Sequence, residues 1–186
     1  MKKSMRKGSV LMLSGLVLCL CFSTACQNKA AIAELEKFKA QAAVEEQNKG
    51  IVRKGAEEKN KKNAEYFMDV YSPDYAYFYP SGTSKSMSRE EIIAEMKMIW
   101  EAFPDCIWNI EELVAVGDLV VSRTIVRGTH KGTFMDIPPT GNKFELNLIN
   151  MSRLKNGKIV EEREDYDSLG LMQILGMELR PKEPKK

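Results

Sequence analysis

"VRGTHKGTFMDIPPTG", residues 126–141, is the stretch on which the reading of this chain turns. A β-branched apolar run feeds into it, and it holds the chain's only histidine, His130. Gly128, Gly132, Pro138, Pro139 and Gly141 punctuate it, which is the composition of a crossover between strands. Upstream, "IWNIEELVAVGDLVVSRTIVRGTH" folds back on Gly117-Asp118 as a hairpin. Downstream, "KFELNLINMSRLKNGKIVEEREDYD" folds back on Asn156-Gly157, the strongest short-range hairpin dipeptide. The C-terminal half is therefore four antiparallel strands in two hairpins.

The residues before it follow a different period. Residues 46–72 are helical in composition, with Ile51, Val52, Ala56, Ala64, Phe67, Met68 and Val70 as apolar positions and a break at Asn60-Lys-Lys-Asn63. "DYAYFYPSG" is a short aromatic strand that Pro80 and Gly82 end. "SMSREEIIAEMKMIWEAFP" is a third helix, capped by Ser86 or Ser88, with acids in its first turn and Pro104 as its stop. "SLGLMQILG" closes the domain with a small helix. Helices on one face of a curved, mainly antiparallel sheet give an α+β fold.

At the N-terminus, Lys2, Lys3, Arg6 and Lys7 precede the apolar stretch of residues 10–22, then Ser23-Thr24-Ala25 and Cys26. That order is an export signal over residues 1–25. Ala25-Cys26 resembles a bacterial lipobox, in which the cysteine is lipidated and becomes the mature N-terminus, although Ser23 stands where leucine is usual. An ordinary signal-peptidase cut, giving a secreted protein, is the competing route. The expected location is thus the bacterial membrane, through a lipid on Cys26.

Removing four basic and no acidic residues takes the net charge from +2 to −2, and the mature chain has no basic stripe for nucleic acid. Cys19 and Cys21 leave with the signal, so Cys106 stands alone, a buried small hydrophobe rather than a nucleophile. One histidine and one mature thiol make no zinc cluster. Residues 26–45, rich in Ala, Glu, Lys and Gln, form a helical tether with Ile32, Leu35 and Phe38 as a thin apolar stripe. Residues 46–178 form the domain, and 179–186 are a charged, Pro-interrupted tail expected to be disordered.

"VRGTHKGTFMDIPPTG", "RLKNGKIVEEREDYDSLGLMQILG", "NKGIVRKGAEE" and "EAFPD" together resemble the SnoaL-like polyketide cyclase and ester cyclase family of the nuclear transport factor 2-like superfamily. The resemblance implies a cone of three helices wrapped by a bent sheet, a deep apolar cavity, and often a homodimer through the sheet. It also implies ring closure by an intramolecular aldol step, without metal or cofactor, through a histidine and an aspartate.

Period-two alternation places Phe144, Leu146, Leu148 and Asn150 on one strand face, and Val120, Ser122, Thr124, Val126, Gly128 and His130 on one face of another. His130 and Asn150 are the candidate catalytic pair, meeting at the cavity rim if those strands are neighbours. Tyr79, Trp100, Phe103 and Trp108, with Phe144, Leu146 and Leu148, are the candidate ligand-binding walls; for each aromatic taken singly, plain core is the competing reading.

The sequence departs from the family pattern in three places. Asn150 stands where many relatives carry aspartate, Asp136 where glycine is usual, and Glu162-Arg163 where His-Trp is common. The acids of residues 161–167 read mostly as solvated edge charges, with Asp167 holding a partner at the strand-to-helix junction. Two functions stand: weak cofactor-free cyclase or isomerase chemistry on a small hydrophobic ligand, or a non-catalytic surface module for a protein partner.

Overall fold

The computed structural model describes residues 5–178 and 180, with side chains from residue 29 onward. The signal's side chains and the tail, Arg180 apart, lie outside the described residues. Helix α1 runs Met5–Asn60, and the chain divides into two compact units between Ala43 and Val44. The first unit is helical, with Ile32, Leu35 and Phe38 exposed. Among the described residues no helix is long and apolar enough to cross a membrane.

The second unit follows the order α2 (Ala64–Val70), β1 (Tyr71–Phe78), α3 (Arg89–Ala102), β2 (Ile107–Val116), β3 (Leu119–Thr129), β4 (Lys143–Lys155), β5 (Lys158–Tyr166) and α4 (Ser168–Ile174). The break after α1 is built by Glu58, whose carboxylate accepts from Asn63 Nδ2 at 2.7 Å and pairs with Lys54 and Lys61. Those partners hold the Glu58 carboxyl down at about 2. Ser88, not Ser86, caps α3, in a reciprocal capping box with Glu91.

The five strands lie in the order β1-β5-β4-β3-β2. The hairpins β2/β3 and β4/β5 pair antiparallel as their turns dictate and β3 pairs antiparallel to β4 across the crossover, whereas β1 pairs parallel to β5, so the sheet is mixed. Val120, Ser122, Thr124 and Val126 of β3, with Phe144, Leu148, Asn150 and Ser152 of β4, form its buried face. One apolar cluster gathers Phe67, Tyr71, Trp100 and Ile159; a second gathers Phe103, Phe144, Leu171 and Leu175.

Two irregularities position the site. On β5 the pairing runs Leu154↔Ile159 and then Arg153↔Glu161, so Val160 is an extra residue, a bulge. One extra residue moves every later side chain to the opposite face. Glu162, Glu164 and Tyr166 therefore turn inward after an inward Ile159.

The crossover between β3 and β4 is latched on itself: His130 N–H donates to Asn142 O and Gly141 N–H to His130 O, both at 2.9 Å. Lys131 and Gly132 N–H both donate to Ala102 O at 2.9 Å, fastening it to the end of α3. At its tip Met135 and Asp136 take φ of 46° and 64°. This left-handed backbone suits glycine best and tolerates the aspartate at residue 136.

Candidate functional site

A cavity of about 100 Å³ lies between the helices and the inner sheet face. This is several times the ~10–15 Å³ that one water needs. Its apolar end is lined by Met96, Ile99, Phe103, Phe134, Phe144 and Leu146, and its polar end by Lys59, Tyr71, Tyr77, Glu95, Glu162 and Glu164. A second lobe, bounded by Val52, Gly55, Ala56, Ser122, Thr124 and Asn150, shares Lys59, Tyr71, Trp108, Leu148, Glu162 and Glu164 with the first.

The polar end is a hydrogen-bonded network spread over three strands. Glu162 Oε2 accepts from the stacked phenols of Tyr71 (3.0 Å) and Tyr75 (2.6 Å). Ser152 Oγ lies 2.9 Å from Glu162 Oε1 and 2.8 Å from Asn150 Oδ1, and its one proton serves one acceptor at a time. Glu164 accepts from the Tyr77 phenol at 3.0 Å and from Asn150 Nδ2 at 3.4 Å.

Burial raises the Glu164 carboxyl above its ordinary value, and the neighbouring Glu162 adds to the shift; Lys59, Tyr77 and Asn150 oppose it. Burial, then the carboxylate charges, keep the phenols of Tyr71, Tyr75 and Tyr77 protonated. Glu95 is also raised, by burial alone. A carboxyl moved up toward neutrality, held by a phenol and an amide in a cavity wall, can take and return a proton.

His130 does not stand at the rim. It is fully buried and lines neither lobe. Thr140 N–H donates to His130 Nδ1 at 3.3 Å and Thr140 Oγ1 lies 3.1 Å from it, while the ring packs on Phe103. Nε2 has no partner. Strands β3 and β4 are neighbours as expected, but the residue opposite Asn150 is Ser122. His130 lies eight positions further along, about 25 Å away at the rise of an extended chain. The expected His130–Asn150 pair is therefore not formed, and the histidine fastens the crossover.

Of the expected walls, Phe103, Trp108, Phe144, Leu146 and Leu148 line the cavity. Tyr79 and Trp100 do not. Tyr79 lies behind Tyr166, stacked at 4.5 Å, and Trp100 is buried in the apolar cluster around Phe67. Cys106 is a buried free thiol, pushed up to about 12 by burial, and it lines the cavity as a small apolar group. Asp167 caps α4 through Gly170 N–H, as its place at the strand end suggests.

Sequence reasoning missed Glu164, Glu162, Glu95 and Lys59. The bulge at Val160 hides the first two. The others carried a signal, a charge set at helical spacing within an apolar stripe: Glu95 between Ile92 and Ile99, and Lys59 after Val52 and Ala56.

The family model for SnoaL-like polyketide cyclases matches residues 49–175, more than half of the chain. The chain belongs to the SnoaL-like polyketide cyclase family. Among solved structures, wild-type IdmH of Streptomyces antibioticus, for which polyketide cyclase activity has been proposed, is similar at 30% identity and a TM-score of 0.62 over 70% of this chain and 99% of that one. AclR of Streptomyces galilaeus, proposed to be a hydroxylase, is similar at 26% identity and a TM-score of 0.64, over 69% and 95%. A SnoaL-like protein from Jannaschia, at 22% identity and a TM-score of 0.65 over 73% and 95%, shares the fold. Among curated proteins, none matches the chain. The family fold is the expected one of helices on a curved sheet, and Asn150 keeps its inward place on β4.

Proposed function

We propose that this SnoaL-like domain encloses a small, largely apolar carbonyl compound and moves a proton on it without a cofactor, as a cyclase or isomerase. Glu164 is the proton-transfer group. Its carboxylate takes a proton from the carbon next to the carbonyl and returns it to carbon or oxygen. Asn150 and Tyr77 hold the carboxyl in place, and Lys59 offsets negative charge as it develops. The observation that carries this reading is the Tyr77–Glu164–Asn150 arrangement in the wall of a cavity whose other end is apolar. A positioned acid/base group typically contributes about 10²- to 10⁴-fold in rate.

Exchange of α-hydrogen for deuterium in 1-indanone, followed by NMR, tests it. Exchange should exceed buffer in wild type and fall about a hundredfold or more in Glu164→Gln. Equal rates in the two proteins would remove Glu164 from the chemistry. No exchange in either, with binding retained, would leave a binding module.

The order of charge, apolar run and Cys26 supports export and a lipid anchor on the same protein. Mass spectrometry of the mature N-terminus should find acylated Cys26, and Cys26→Ser should leave unprocessed precursor or a soluble form. An unmodified Cys26 would make the protein simply secreted.

A further inference from the structure

The polar end of the cavity carries more carboxyls than cations. Two donors of that end are already committed: the phenols of Tyr71 and Tyr77 donate to Glu162 and Glu164. Among the described residues Lys59 supplies the one ammonium in the lining, and its charge acts on Glu164. Glu95 is different. It lines the cavity from α3, half-buried, and no hydrogen bond or ion pair engages its carboxyl among the described residues. No grouping of described residues could hold a metal ion there. Aromatic side chains, Phe103, Trp108, Phe134 and Tyr166, supply much of the remaining wall.

A half-buried carboxyl without a partner is costly unless a ligand completes it. An ammonium does so with a charge-assisted hydrogen bond, and aromatic faces attract the same cation. A carboxylate ligand would instead meet three carboxyl groups against one lysine.

We infer that the ligand of this cavity is a small aromatic or alicyclic compound carrying a basic amine, which Glu95 receives while the apolar end takes the ring. The inference rests on the proposed small-molecule reading and adds the ligand's charge to it. In a substrate that is both ketone and amine, Glu95 fixes the nitrogen and Glu164 works on the carbon.

Three probes of one shape test it on the full chain: 2-phenylethylamine, 2-phenylethanol and phenylacetate, titrated by calorimetry. The amine should bind at least tenfold more tightly than the alcohol, and phenylacetate more weakly than either. In Glu95→Gln the amine's advantage over the alcohol should vanish, a loss of about ten- to a hundredfold in amine binding. A circular dichroism spectrum and melting temperature like those of wild type certify that the variant is folded. Equal binding of amine and alcohol in wild type, or an advantage that survives in Glu95→Gln, overturns the amine inference and leaves the small-molecule reading standing. Binding of none of the three overturns both.

Discussion

At the scale of single residues, the exchange of roles between His130 and Glu164 follows from what each can reach. His130 is spent on Thr140 and the crossover, whereas Glu164 keeps both oxygens at the cavity with a phenol and an amide on them. Asn150 suits this arrangement because an amide donates to the carboxyl on one side and accepts from Ser152 on the other. Asn150→Asp sets a second carboxyl beside Glu164 in the cavity wall and raises their shared affinity for protons. Carboxyls raised in the folded state stabilise fully below the unfolded range, and that stability is lost as pH rises through the folded values. Melting temperatures across pH should therefore show Asn150→Asp weaker than wild type by about 1–3 kcal/mol at neutrality, with the gap closing in acid. A deficit independent of pH would mean the aspartate is not sharing protons with Glu164. Asn150's inward place was legible from alternation along β4. The inward turn of Glu164 was not, because alternation carries no mark of an inserted residue.

At the scale of elements, the Gly- and Pro-punctuated crossover between β3 and β4 is a fastening. Gly132 shows it most sharply: a Cβ there would sit 2.4 Å from the Glu101 carbonyl oxygen and 3.0 Å from Ala102 Cα. The backbone would have to withdraw from the end of α3, weakening both bonds to Ala102 O. Gly132→Ala should cost about 1–3 kcal/mol in urea denaturation. Gly82→Ala, where a Cβ meets nothing within 4 Å, should stay within about 0.5 kcal/mol of wild type. A harmless Gly132→Ala would contradict the close docking of the crossover on α3. Helix stops, the α3 cap and both hairpin turns were readable because each rests on local chemistry. The parallel pairing of β1 with β5 was not, since the partners lie 88 positions apart at Tyr71↔Ile159 and no turn dictates their register.

At the scale of the molecule, sheet and helices enclose a cavity that is apolar at one end and rich in carboxyls at the other. The alternating strands made the apolar end legible, down to Phe144, Leu146 and Leu148. The polar end came from a bulge, from two charges inside helical stripes, and from tyrosines on the parallel edge, so it needed the fold to be seen. The account as a whole stands on the Glu164 carboxyl being raised above its ordinary value inside that cavity. Carbon-13 NMR titration of the Glu164 carboxyl, assigned by its loss in Glu164→Gln, measures this directly. The midpoint should lie above 4.5 and rise further in Lys59→Met, because Lys59 opposes the shift. A midpoint at or below 4.5, unmoved by Lys59→Met, would contradict the account.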